Sequence, residues 1–363
     1  MDLPLLTRVM RDPAAATALA APDWDLLVRQ ARHANLLGRL HHHLARAAVP
    51  VPPRADPHLR SAAQMAERQH LSVRHEVGLL QGTLAPLGET LILLKGAAYV
   101  AAGLPAAAGR VFADVDVLVP RAALDRAESL LQQQGWVGAN LDDYDQRYYR
   151  RWMHELPPLQ HIFRGTALDV HHTVLPPTSR GSHVDAAALI RDSVPLPDWP
   201  GVHMLAPVDM VLHSAAHLFH EGEPDNLLRD LSDLDLLLRH FSPREPDFWL
   251  RLLARAAQHG LQQPLRLALR YCHQQLLTPV PDTVLHAAGA DVSRSWRERL
   301  LDFMYGRALR PLHATAADGW TAWCNRALYV RSHWLRMPVP LLVYHLLHKA
   351  LRPPRTETIA DDR

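Results

Sequence analysis

The spacing of apolar positions changes twice along this chain, and the changes divide it in three. From residue 24, WDLLVRQARHANLLGRLHHHLARA sets Leu26, Leu27, Ala31, Ala34, Leu37, Leu40 and Leu44 near one helical face. PVPPRADP at 50–57 interrupts that pattern, and a second amphipathic helix is predicted over 58–86. At Thr90 the helical period gives way. TLILLKG predicts a short strand running into Gly96, VFADVDVLVP an alternating strand closed by Pro120, and AAYVAAGL a helix between them. RAALDRAESLLQQQGW predicts a helix stopped at Gly135, HELPPLQHIFRG a further strand, and TALDVHHTV, 166–174, another. From about 205 the helical period returns in PVDMVLHSAAHLFHEG, NLLRDLSDLDLLLRHF and PDFWLRLLARAAQHG. A last helix near PLLVYHLLHKAL ends at Pro353, with RTETIADDR as a frayed tail.

The predicted fold class is therefore α+β. An α/β core with a mixed sheet at 89–200 follows an N-terminal helical module at 1–88 and precedes a C-terminal helical domain at 201–363. At 363 residues the chain is long enough for two or three domains.

Composition removes several function classes. A formal net charge of +2 gives no global pull toward nucleic acid or anionic membrane. Cys272 and Cys324 are too few for a disulfide framework. The N-terminus lacks a signal-peptide pattern, and no apolar run reaches the roughly 18–20 residues that span a bilayer. The expectation is a reduced, cytoplasmic protein. Its basic residues are 37 arginines and only two lysines, so Lys95 stands out against the habit of the chain.

Lys95 precedes an unusual strand. Side chains at i and i+2 share a face, so Asp114 and Asp116 project together, roughly 6–7 Å apart along the strand, while Val115, Val117 and Val119 face the core. Two such carboxylates can bracket Mg²⁺, with phosphate oxygens and water completing its shell. Asp169, in LDVHH, has the same setting and would supply a third carboxylate for two-metal phosphoryl transfer. Acidic residues near strand ends also serve as turn formers or salt-bridge partners, and an isolated Asp-x-Asp recurs by chance. Three apolar-flanked aspartates behind a Lys-Gly turn favour the metal reading. At that turn, a strand passing through Gly96 into a helix presents N–H groups to an anion and Lys95 adds a point charge; a plain turn with a solvated lysine is the bland alternative. Arg110 can meet a phosphate or one of the aspartates.

The pattern LKGAAY…GRVFADVDVLV…LDVHH resembles the bacterial uncharacterised nucleotidyltransferase family, within the DNA-polymerase-β-like nucleotidyltransferase superfamily. Lys95, Gly96, Tyr99, Arg110, Asp114, Asp116, Leu118, Val119, Asp169 and His171 stand at the family's positions, and the likeness extends over roughly 20–350, including Arg229 and Asp233. The resemblance implies a small nucleotidyltransferase-type core in which Asp114, Asp116 and Asp169 are catalytic and hold Mg²⁺ (or Mn²⁺). Lys95, Gly96, Tyr99 and Arg110 would bind a nucleoside triphosphate, and a hydroxyl would attack its α-phosphorus to release pyrophosphate. One departure is Ala97, where many superfamily members carry serine or glycine after the turn glycine.

The remaining constellations are weaker. His213, His217 and His220 share a predicted helical face, yet lack a nearby glutamate base and further ligands, so a packed helix is favoured over zinc. His171, His217 and His220 are candidates to line an acceptor pocket. His41–His43 cannot share one helical face. YDQRYYRRWMHE, 144–155, mixes arginine with aromatics as base-stacking surfaces do, but an exposed amphipathic segment explains it as well. The basic-ended C-terminal helix permits weak membrane association or packing on its own domain. The acceptor is unknown; a small molecule, sugar or peptide fits the weak net charge better than a long nucleic acid, so no stable nucleic-acid complex is expected. A tRNA end, as used by toxin-like relatives, and a non-catalytic nucleotide-binding scaffold are the alternatives. A glycosyltransferase would need an α/β half before its Asp-x-Asp, where this chain is helical.

Overall fold

The computed structural model describes residues 3–138, 152–221, 226–292 and 295–337. Four helices come first: α1 (Leu5–Arg11), α2 (Ala21–His33), α3 (Leu37–Arg46) and α4 (Asp56–Leu84). The single helical face expected from residue 24 is in fact two helices. The chain turns at Asn35, whose φ of 54° takes it into the left-handed region, and restarts at Leu37. Leu27, Ala31, Leu40 and Leu44 still meet in one small core, because both helices turn their apolar stripes inward against Leu59.

Between Leu91 and Met204 lies a mixed sheet of β1 (Leu91–Leu93), β2 (Asp114–Leu118), β3 (Trp136–Gly138), β4 (Leu159–His161), β5 (Ala167–His171), β6 (Val194–Pro195) and β7 (Val202–Met204), in the order β3-β4-β5-β2-β1-β7-β6. β2 runs antiparallel to β1 and parallel to β5, while β1 runs parallel to β7. Val115, Val117 and Val119 are buried as their alternation requires. Helices α5 (Lys95–Ala101), α6 (Leu124–Gln133) and α7 (Ala186–Arg191) belong to this unit, and α4 packs on both α5 and α6.

The remaining helices are α8 (Pro207–Ala216), α9 (Leu227–Phe241), α10 (Phe248–His259), α11 (Gln262–Leu276), α12 (Asp282–Ala287), α13 (Trp296–Ala308) and α14 (Thr321–Arg336). Their apolar faces join the same core as the sheet. α8 does not continue regularly through the histidine stretch: His217–Glu221 forms a π-helical turn, an irregularity common at functional sites. Among the described residues no helix is long and apolar enough to cross a membrane. The predicted C-terminal helix near 340–351 and most of the arginine-aromatic stretch, 144–151, lie outside the described residues.

Candidate active site

The chain from β1 to β2 brings Lys95 beside Asp116. β1 ends at Leu93, and Lys95 opens α5 with φ of 43°, a backbone state that a non-glycine residue adopts only when its surroundings hold it there. This geometry returns the lysine over the sheet, where Nζ donates to Asp116 Oδ1 at 2.9 Å. The next residue must be small. A Cβ on Gly96 would lie 2.6 Å from Arg110 Nη1 and 2.9 Å from the Phe112 ring.

Pairing of β2 with β5 supplies the third carboxylate. In that parallel ladder Asp114 faces Ala167, Asp116 faces Asp169 and Leu118 faces His171. Asp114, Asp116, Asp169 and His171 therefore leave one face of the sheet in a two-by-two arrangement. His171, almost fully buried, places Nε2 3.0 Å from Asp116 Oδ1 and Nδ1 3.4 Å from Glu155 Oε2. Glu155 reaches it because residue 155 forms a bridge with His171.

The charges are uneven. Burial alone would raise the Asp116 carboxyl, but the Lys95 ammonium and the His171 imidazole hold it well below the ordinary carboxylate range. At Asp169 burial, then the charges of Glu155 and Asp116, outweigh the nearby His171 and push the carboxyl up to about 7. Burial and then Asp116 raise Asp114 as well. Burial works against a charged His171, yet Glu155 and Asp116 outweigh it and raise the imidazole. The ligating atoms of Asp116, Asp169 and His171 lie within 4.8 Å of one another. Hard oxygen donors carrying more negative charge than their neighbours neutralise fit a divalent cation, so the residues suit the Mg²⁺ or Mn²⁺ expected from the sequence.

In front of Asp114 and Asp116 opens a cleft of about 210 Å³, whose wall includes Lys95, Gly96, Tyr99, Arg110 and His217. A second hollow of about 170 Å³ shares Phe112, Ala113 and Asp114 with it and is bounded by Glu76, Arg164 and Thr166. Arg110 turns its Nε away from Asp114 and Asp116 to Asp233 Oδ2 of α9, at 2.7 Å. Its Nη1 is buried without a hydrogen bond at the cleft wall. Tyr99 is buried behind the cleft, its hydroxyl 2.7 Å from Ser214 Oγ, and burial pushes the phenol up.

The three histidines of α8 and the π-helical turn after it part company. His217 reaches the cleft and His220 is buried, while burial and the nearby Lys95 charge push the buried His213 imidazole well down. They do not form one of the candidate metal groups among the described residues. His171 stands behind Asp116 as its partner. Glu155, Ser214, and Arg39, whose Nη1 lies 2.6 Å from Asp233 Oδ1, carried no local signal in the sequence.

The fold and cleft define an α+β protein with carboxylates gathered at one end of a mixed sheet. The sequence matches the uncharacterised nucleotidyltransferase family over residues 20–276, and the chain belongs to that family. No curated protein matches it closely enough to count as a relative.

Proposed function

We propose that the chain transfers a nucleoside monophosphate from a nucleoside triphosphate to a hydroxyl of a small acceptor, releasing pyrophosphate. The observation that carries this reading is the register of β2 on β5, which sets Asp116 beside Asp169 with Asp114 at the cleft mouth. Asp114, Asp116 and Asp169 would hold Mg²⁺ or Mn²⁺. When bound, the metal would neutralise phosphate charge and stabilise the pyrophosphate leaving group.

The remaining work falls to side chains around the cleft. Lys95, which lines the cleft with Asp116, would meet a triphosphate oxygen with Nζ. Gly96 leaves room for Arg110, whose Nη1 supplies a further donor to the nucleotide, and Tyr99 backs that wall. Asp169, the ladder partner of Asp116, would be held ionised by the bound metal and would take the proton of the attacking hydroxyl. The new bond forms between that oxygen and the α-phosphorus, the α–β bridging bond breaks, and pyrophosphate departs with its electron pair. His217 borders the cleft and would face the acceptor, for which the weak net charge favours a small molecule, sugar or peptide over a long nucleic acid.

The test is label transfer and pyrophosphate release from the four α-labelled nucleoside triphosphates, with Mg²⁺ or Mn²⁺, in the presence of fractionated cell extract. Transfer lost in Asp114→Asn/Asp116→Asn supports the reading, and the labelled product reveals the acceptor class. Nucleotide binding unaltered by that double substitution, with no transfer from the wild-type chain, would leave a nucleotide-binding scaffold in its place.

A further inference from the structure

His171 has two ring nitrogens and only one is used by Asp116. Nε2 lies 3.0 Å from Asp116 Oδ1, whereas Nδ1 is buried and makes no hydrogen bond. Nδ1 faces the opposite way, toward His154 and Glu155, away from Asp116. Glu155 Oε2 is 3.4 Å from His171 Nδ1 and 3.7 Å from His154 Nε2, and the three residues offer ligating atoms all within 4.8 Å of one another. His154 is itself buried, with its ring centroid 5.0 Å from that of His171.

Those spacings have a chemical meaning. Tetrahedral Zn²⁺ with ligand bonds of about 2.0–2.1 Å separates its ligand atoms by about 3.3–3.4 Å, so two of the edges are already near the required length. Two imidazoles and one carboxylate form a ligand set used at zinc sites that keep a fourth position for water. A metal-bound histidine commonly donates its other N–H to a carboxylate, which fixes the tautomer and ring orientation. Asp116 stands where such an outer carboxylate belongs.

We propose that His154, Glu155 and His171 form a transition-metal site of the zinc type, separate from the Asp114–Asp116–Asp169 carboxylates and joined to them through the His171–Asp116 hydrogen bond. Ligation at Nδ1 leaves the proton on Nε2, so the site fixes the His171 ring as a donor to Asp116. It also ties residues 154 and 155 to β5. Mg²⁺ is a poor occupant, because it prefers an all-oxygen octahedral shell to a tetrahedral set containing two nitrogens.

The experiment uses the full chain, freed of metal by a chelator and titrated with Co²⁺ in the presence of excess Mg²⁺. The expected result is the intense visible absorption of four-coordinate Co²⁺ at one equivalent, bleached by Zn²⁺. His154→Ala and Glu155→Gln should each weaken Co²⁺ binding by at least about 100-fold, beyond the roughly 10- to 100-fold expected of the outer partner variant Asp116→Asn. Asp114→Asn should leave the absorption intact. Circular dichroism of the metal-free variants separates loss of ligands from loss of fold, and the near-isosteric Glu155→Gln guards against collapse of His154→Ala. Absence of the band in the wild-type chain overturns the proposal. So does a Co²⁺ signal lost in Asp169→Asn but kept in His154→Ala, which would place the ion among the catalytic carboxylates.

Discussion

Asp116 of β2 and Asp169 of β5 are direct partners in a parallel ladder, yet they carry opposite electrostatic burdens. Asp116 is met by Lys95 and His171, whereas Asp169 faces Glu155 and Asp116 itself. Lys95 and His171 thus hold one buried carboxylate ionised, while burial and like charges favour the protonated form of its neighbour. A cation shared between them would relieve that imbalance.

Substitutions at the two positions should consequently move stability in opposite directions. In metal-free protein at pH 8, Asp169→Asn removes a buried charge on which burial and like charges outweigh His171, and should stabilise the fold by on the order of 1–3 kcal/mol. Asp116→Asn strips Lys95 and His171 of their shared partner and should destabilise it by a similar amount. Both should reduce nucleotidyl transfer by about 1,000-fold or more if all three carboxylates are needed. Urea denaturation of the two variants decides the first claim, and equal shifts of the same sign would refute it.

The pH dependence follows from the same asymmetry. Asp169 is protonated in both folded and unfolded chains below about pH 4. As pH rises toward 7 the unfolded chain ionises first, because the folded carboxyl titrates only at about 7. Metal-free stability should therefore fall through this group between about pH 4 and 7 and level off above it. Asp116, whose folded carboxyl lies well below the ordinary range, acts in the opposite sense and loses its contribution only in more acid solution. Mg²⁺ must displace the Asp169 proton to bind there, so its thermal stabilisation should grow from pH 5 to pH 8. Differential scanning fluorimetry across that range is sufficient; a shift independent of pH would separate Mg²⁺ binding from Asp169.

What the sequence made legible was local. Alternation alone placed Asp114 and Asp116 on one face and the three valines on the other, and the setting of Asp169 matched them. The same local logic overlooked β3, β6 and β7, because strands of two or three residues beside Gly135, Pro195 and Gly201 carry no readable period. It carried the early helix past Asn35, where one left-handed residue turns the chain without disturbing the apolar spacing. Arg110 was readable as a cation near the site, but its pairing with Asp233, 123 residues later, depends on where α9 packs. His171 was placed toward an acceptor pocket, and only the strand register shows it against Asp116.

Helix α3 meets the chain before β2 where two glycines pack backbone to backbone. Gly109 has φ of 63°, and a Cβ there would run into the Gly38 carbonyl carbon of α3; a Cβ on Gly38 would lie 2.6 Å from the Gly109 oxygen. Neither obstacle is a side chain that can swing away. Gly109→Ala combines a left-handed backbone with a backbone clash and should cost more than about 3 kcal/mol. Gly82→Ala, on the exposed end of α4 with nothing within 4 Å of the new Cβ, should be neutral or stabilising by up to about 1 kcal/mol. Chemical denaturation of both variants tests the contrast, and a tolerated Gly109→Ala would show that α3 does not approach the core so closely.

Arg39 of α3 and Arg110, the residue after Gly109, converge on one buried carboxylate. Asp233 Oδ1 lies 2.6 Å from Arg39 Nη1, and Oδ2 lies 2.7 Å from Arg110 Nε, with all three side chains less than a tenth exposed. Burial would raise the Asp233 carboxyl, but Arg110 and then Arg39 hold it below the ordinary range. Replacing Asp233 by alanine leaves two guanidinium groups buried against one another, a loss of the kind that costs about 3–5 kcal/mol. Asp233→Asn keeps the shape and one acceptor and should cost less. Because Arg110 also forms the wall behind Gly96, either change should weaken nucleotide binding even where the fold survives. Isothermal titration with a nucleoside triphosphate and Mg²⁺, beside urea denaturation, reads both effects in one protein. Asp233→Asn with lowered stability but unaltered nucleotide affinity would confine the network to holding α3 and α9 on the core and remove Arg110 from the binding wall.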